Sequence, residues 1–246
     1  MKLKLLALFT LGLLFWSCQF TETMVMNADG SGTMAVEVNL NEMMAFGGSA
    51  MGDSLNVKLD TIIYMKQFLE EKMDSISQLS KDELEKLRKM ENFNFHIKMN
   101  SETAEMVYEV STKFTHIREA NDILNGLEQA GNLMPSPDSS SQTKEDGNSP
   151  EVIGVNYSFA DGVFNRDAYI KDKTLHKKQV DSLKQTEAFM GGSNYTLKYT
   201  FPKKIKRTSN PDATFSGDGK TVIVQKSFVD YFKDPDLLDL EVELEQ

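Results

Sequence analysis

Along much of the chain apolar and polar residues alternate with a period of two, in short runs set apart by turn-forming residues. Val36, Val38 and Leu40 alternate with polar neighbours, and the run Thr33 to Leu40 is parted from Thr23 to Asn27 by Asp29-Gly30-Ser31-Gly32. Successive strand side chains point to opposite faces and glycine supplies turn conformations, so this layout predicts a β-hairpin. Phe93, Phe95, Ile97 and Met99 make a second alternating run, and Val107, Val110 and Phe114 a looser one that returns after a turn near Ser101. Val152 to Phe159 and Val163 to Asn165 flank Asp161-Gly162, another hairpin signal. Tyr195, Leu197, Tyr199 and Phe201 alternate cleanly, and Thr221 to Phe228 and Leu238 to Leu244 supply the last two strands.

Between these runs the spacing changes to that of a helix. Leu59, Ile62, Ile63, Leu69, Met73 and Ile76 fall on one stripe broken only by Lys66, which predicts an amphipathic helix over Leu59 to Ser77. Ser80-Lys81-Asp82-Glu83 has capping-box spacing and opens a second helix through Met90. Ile117, Ala120, Ile123, Leu124 and Leu127 predict a third, over 117–130, and Val180, Leu183, Thr186 and Glu187 a short fourth. Met43 to Gly52 reads as a loop of Met, Ala, Phe and Gly. Pro135 to Pro150 has no apolar side chain to bury and reads as a disordered loop. The part before that loop has the clearest helices and the part after it has strands in need of cover, so the two are expected to complete one domain. The expected fold is α+β: one antiparallel sheet of hairpins, helices packed on one face, the other face wet.

The first residues have a different character. Lys2 and Lys4 precede an apolar run, Leu5 to Trp16, interrupted only by Thr10 and Gly12. That run is too short to cross a ~30 Å hydrocarbon core, which takes about 20 residues. It has the form of a signal peptide over residues 1–17, leaving 18–246 as the mature domain. The run ends at Ser17-Cys18, and Cys18 is the only cysteine of the chain. An ordinary leader with an incidental cysteine would leave an exported protein with a free thiol, a liability that acylation removes. Cys18 is therefore the expected lipid attachment site and the membrane the expected partner. Glu22 is the one acid among the five residues that follow, a poor match to the acidic cluster that surface export of lipoproteins uses in the phylum this leader resembles. The expected location is the outer membrane with the domain facing the periplasm, and the cell surface is the alternative.

Strand, Asp-Gly, strand over Glu22 to Val36, followed near the end by Tyr195 to Pro202, Ser209-Asn210-Pro211-Asp212-Ala213, Ser216 to Thr221 and two closing strands, resembles the LppM-type domain of bacterial envelope lipoproteins. The resemblance implies an α+β domain on an anchored envelope protein and lends no catalytic residue.

Charge and candidate chemistry narrow the function further. The net charge is −10, and about −12 once Lys2 and Lys4 are removed, which disfavours nucleic acid. Gly217-Asp218-Gly219-Lys220-Thr221 imitates a phosphate loop, but the position five before the Gly of Gly-Lys-Thr is Thr214 and a strand follows, so a turn is expected. Asn27 to Gly32 imitates the first half of a calcium loop whose twelfth position should be Glu and is Val38. His96, His116 and His176 share no ligand spacing, and His96 is expected to face solvent. The fourteen Met residues are read chiefly as core filler, with soft-metal binding the lesser alternative. Met43, Met44, Phe46 and Met51 form a candidate contact surface, and Ala45-Phe46-Gly47-Gly48-Ser49 is echoed at 188–193. Two basic clusters interrupt the acidic background. One is Lys171, Lys173, His176, Lys177 and Lys178. The other, Lys203, Lys204, Lys206 and Arg207, is the candidate for anionic headgroups. No nucleophile elbow or cofactor fingerprint is present, so neither catalysis, cofactor nor metal is expected. The leading expectation is a non-catalytic interaction or structural module that contacts an envelope protein. A carrier or sensor of a lipid or other apolar ligand is the alternative, and an enzyme with a composite site the second.

Overall fold

Each alternating run forms a strand, and each hairpin closes where its turn residues stand. The computed structural model describes residues 18–47, 58–72, 90–121 and 152–246, with 81, 84, 85, 88 and 123 as single positions and the backbone alone at 43, 46, 47 and 185–189. Strands β1 (Gln19–Met26) and β2 (Gly32–Asn39) pair antiparallel, with Met26 opposite Gly32. Asp29 Oδ1 holds their turn, accepting from Ser31 N at 3.0 Å, and Gly30 takes the left-handed φ of 83°. β3 (Lys58–Tyr64), β4 (Phe93–Asn100) and β5 (Glu105–Phe114) form a meander. β6 (Ile153–Ala160) and β7 (Val163–Ile170) turn through Asp161 and Gly162, both at positive φ. β8 (Asn194–Thr200), β9 (Ile205–Thr208), β10 (Thr214–Phe215), β11 (Thr221–Ser227) and β12 (Leu240–Leu244) follow.

These strands build two sheets, where one was expected. The larger has the order β10-β11-β8-β1-β2-β5-β4-β3, and the smaller β6-β7-β12-β9. The larger is mixed, because β1 and β8 run parallel from Gln19 beside Asn194 to Val25 beside Thr200. Its centre thus joins strands from the two sides of the segment 135–150. One face of it is buried, through Met24, Met34, Val36, Phe95, Val110, Leu197, Tyr199 and Val224, while Thr33, Lys113 and Lys198 on the other face are exposed. Much of the cover over β1 and β8 comes from the smaller sheet, not from helices. Phe164 of β7 meets Tyr199 and Phe201 edge-on, each at 5.4 Å between ring centres, and Val155, Tyr157, Leu240 and Val242 belong to the same core. Among the described residues the fold is broadly α+β, but mostly β, with few helices and no single face that they occupy.

The helical expectations need the most correction. Residues 58–64 are strand β3, and a helix begins only afterwards as α2, with 73–77 of the expected Leu59 to Ser77 lying outside the described residues; among the described residues the bounded helices in sequence order are α1 (Asn41–Gly47), α2 (Met65–Glu71), α3 (Lys173–Met190) and α4 (Phe228–Lys233). Thr61, Ile62, Ile63 and Tyr64 are β-branched or aromatic and fit a pleated surface, and pairing with β4 settles a pattern that both periods satisfy. The Met43 to Gly52 loop is helix α1 up to Gly47, and 48–52 lie outside the described residues. The helix expected over 117–130 begins as a 3-10 turn, Ile117–Ala120; Ile117, Ala120 and Ile123 are buried as its stripe requires, and 124–130 lie outside the described residues. Of the helix over 80–90, positions 81, 84, 85 and 88 are helical. The short fourth helix is instead the 18-residue α3, capped by Asp172, whose Oδ1 accepts from Thr174 N and Leu175 N at 2.8 and 2.9 Å. The last expected strand is preceded by α4 and a 3-10 turn, Pro235–Leu238, neither of them anticipated.

The segment Pro135 to Pro150 lies outside the described residues, and β1 and β8 pair across it. A protease site engineered within it should therefore give, after cleavage, two fragments that co-elute at the intact volume on size exclusion. Two separately eluting folded pieces would contradict the shared sheet.

Candidate functional site

The most unusual chemistry in the molecule lies between the sheets. On β1, Glu22 is in phase with Met24 and Met26, so the pleat that buries those side chains also buries the carboxylate, which is 0% exposed. On β7, Arg166 is in phase with Phe164 and Ala168 and points back at it, 1% exposed. Arg166 Nη2 donates to Glu22 Oε2 at 3.1 Å and Nε to Oε1 at 3.3 Å, the two-pronged geometry that guanidinium and carboxylate favour. Three phenols complete the carboxylate's shell. Tyr157 donates to Oε1 at 2.6 Å, Tyr195 to Oε2 at 2.8 Å, and Tyr199 also to Oε1. The remaining arginine donors reach Leu238 O at 3.1 Å and Tyr231 Oη at 3.4 Å, with the guanidinium carbon 5.8 Å from the Tyr231 ring centre.

The electrostatics follow from this packing. Burial pushes the Glu22 carboxyl up, but the Arg166 charge and the hydrogen bonds from Arg166, Tyr157 and Tyr199 outweigh it, and the net shift is downward. Burial, then the charge on Glu22, holds Tyr157, Tyr195 and Tyr199 well above the usual phenol range, so they remain donors. The group resembles a catalytic constellation in its residue types only. Both carboxylate oxygens are fully engaged and closed to solvent, so a substrate could neither reach them nor find a free lone pair to take a proton.

The residues singled out in the sequence lie elsewhere. Cys18 immediately precedes β1; it is 8% exposed, and its carbonyl accepts from Asn194 N at 3.3 Å. Burial raises its thiol pKa, Ser193 lowers it and Glu42 raises it. Of Met43, Met44, Phe46 and Met51, the first three are on α1, where Met44 is half-buried; the side chains of Met43 and Phe46 are outside the description, as is Met51 altogether. Met24, Met26, Met34, Met65 and Met90 are core. In the run Lys203, Lys204, Lys206, Arg207, two cations already face acids of β12. Lys206 Nζ is 2.6 Å from Glu243, and Arg207 is 2.5 Å from Glu243 and 3.2 Å from Glu241. Lys203 lines an open cleft of about 440 Å³ with Ala28, Phe159, Asp161, Pro202 and Leu244. The other basic cluster lies at the start of α3, where His176 is buried with Nε2 2.7 Å from Phe232 O. His96 is partly exposed and pairs with Asp60 at 2.7 Å. Among the described residues no three His, Cys, Asp or Glu side chains gather as metal ligands. The phosphate-loop imitation is the turn between β10 and β11, with Lys220 N donating to Asp218 Oδ1 at 3.0 Å.

Neither a family model nor a curated protein matches the sequence. Among solved structures, the NMR structure of the folded domain of LppM from Mycobacterium tuberculosis is similar, at 6% identity over 95% of this chain and 94% of that one, with a TM-score of 0.42. This is the type of domain that the strand layout resembles. The likeness is one of fold only. Among the described residues no helix is long and apolar enough to cross a membrane.

The buried cluster generates two expectations about stability. Arg166→Met strands an unpaired carboxylate and should cost about 3–5 kcal/mol in denaturant unfolding, whereas Glu22→Leu combined with Arg166→Met should recover a large part of that loss. A double variant no more stable than the single one would count against the pair. The pH dependence has a definite sign, because the folded pKa of Glu22 lies below its ordinary value of 4.5. Its contribution is fully present above about pH 4.5 and is lost as pH falls through the lowered folded value. Stability measured from pH 6 downwards should therefore decline below about 4.5 in the natural protein and more gently in Glu22→Gln.

Proposed function

We propose that the chain is a lipid-anchored envelope protein that acts by presenting its folded surface to an envelope partner, not by catalysis. The observation that carries this reading is the position of Cys18. It ends the leader-like segment and is followed at once by Gln19, the first residue of the central strand β1. An acyl group on Cys18 would hold the large sheet against a bilayer without a flexible spacer. The near-complete burial of Cys18 gives an order of events: the thiol is modified before β1 docks beside β8. A lipid-carrying role would call for an apolar cavity between the sheets, where Phe164 instead packs on Tyr199 and Phe201. The fully engaged Glu22 favours a non-catalytic role in the same way. It also bears on location, because the one acid that follows Cys18 closely is committed to the core and is not displayed as part of a sorting signal. This supports a domain facing the periplasm from the outer membrane.

Cys18→Ser should move the full chain out of the membrane fraction, or stall it with its leader attached, and should abolish incorporation of radiolabelled fatty acid. Label persisting in the variant would overturn the anchoring assignment.

A further inference from the structure

We propose that Glu42 and Ser193 form a receptor for the α-amino group of Cys18, so that the mature amino terminus is a free ammonium held against the end of the large sheet. This rests on the anchoring reading above and adds to it the chemical state of the chain's new end.

Two elements bring the receptor together. In the parallel pairing of β1 with β8, Gln19 lies beside Asn194, which sets Ser193 beside Cys18. Ser193 is 0% exposed, and its main chain is fully used: its N–H donates to Met190 O at 2.8 Å, and its carbonyl accepts from Phe228 N at 2.8 Å. Its Oγ has no hydrogen-bond partner. Its presence beside Cys18 lowers the thiol pKa against the larger effect of burial. On the other flank, Asn39 of β2 lies opposite Gln19, and the chain turns directly into α1. That start is fixed by Asn41, whose Oδ1 accepts from Met106 N at 2.7 Å. Glu42 stands in the first turn of α1, with Oε2 buried and without a partner, and its charge is felt at Cys18.

A buried hydroxyl and a buried carboxylate oxygen left unpaired each cost about 1–3 kcal/mol, and such atoms are rare in native proteins unless another group belongs beside them. The missing group must be a donor and should be positive. Hydrolysis of the Ser17–Cys18 peptide supplies it: the hydroxyl of water joins the Ser17 carbonyl carbon, and the nitrogen leaves as the Cys18 amine. That amine takes up a proton near neutral pH, since its ordinary pKa is about 7.7–8.0. The ammonium has three N–H donors, enough for Glu42 Oε2 and Ser193 Oγ together. A thioether-linked diacylglycerol has only ester acceptors and cannot satisfy Glu42. An amide-linked third acyl chain would leave a single N–H and no charge.

The test uses the full chain, processed in an exporting bacterium and purified from its membranes. Intact mass of the amino-terminal peptide is read together with the rate at which an amine-selective reagent labels Cys18 at pH 7, with exposed Lys113 as internal reference. The expected result is an S-lipidated Cys18 with an unacylated amine. Glu42→Gln should speed its labelling roughly tenfold, the equivalent of a one-unit fall in amine pKa. Ser193→Ala should speed it less, and Lys113 should not change. An N-acylated Cys18, or an unchanged rate in Glu42→Gln that still folds by thermal unfolding, would overturn the proposal while leaving the anchor intact. An amino terminus at another residue, or an unmodified thiol, would overturn both readings.

Discussion

The contact between Glu22 and Arg166 sets a constraint that the rest of the core obeys. Removing two charges from water costs several kcal/mol each even after relaxation, and one guanidinium does not fill a carboxylate's lone pairs. Tyr157, Tyr195 and Tyr199 supply the remaining donors, and Leu238 O and Tyr231 Oη take two of the arginine's other N–H groups. The cluster draws its members from β1, β6, β7, β8, α4 and the 3-10 turn Pro235–Leu238. Each element has to arrive in register for the charges to be satisfied. A one-residue slip of β1 would turn Glu22 to the wet face and bring Thr21 or Thr23 to Arg166. The pair therefore contributes more to selecting one docking of the two sheets than to net stability, which apolar packing around Phe164, Leu197 and Phe201 supplies.

How much of this was legible in the sequence depended on whether period and chemistry agreed. Tyr195, Leu197, Tyr199 and Phe201 alternate so regularly that the strand and its buried face follow directly, and the turns at Asp29-Gly30 and Asp161-Gly162 fixed the hairpins. The segment Leu59 to Tyr64 misled because Leu59, Ile62 and Ile63 fit a helical stripe, while the β character of Thr61 to Tyr64 was outweighed. Helix α3 was underestimated because its inward stripe of Leu175, His176, Gln179, Val180 and Leu183 includes two polar residues, although Asp172 before Lys173-Thr174 was a readable cap. That a second sheet, and not helices, would cover much of the first was not written in any local window.

The central cluster was missed for a related reason. Glu22 and Arg166 are 144 residues apart, and no spacing rule connects them. The signal was present separately at each position, as a charge in phase with a buried stripe: Glu22 with Met24 and Met26, Arg166 with Phe164 and Ala168. A lone charge at a core position needs a counter-charge, and two such positions in one chain are candidates for each other. The apolar alternation that begins at Val163 stops at Asn165, one residue short of the arginine.

The parallel placement of β1 beside β8 has a kinetic consequence. β1 is the first strand of the sheet and lies at its centre, yet one of its neighbours begins at Asn194. A chain emerging from its amino terminus can form the β1–β2 hairpin early, but the interior of the sheet stays open until some 155 residues beyond Asn39 have followed. The loop closure involved is long-range, which raises contact order and slows the last step. The large sheet thus stays incomplete at its centre until β8 has been made.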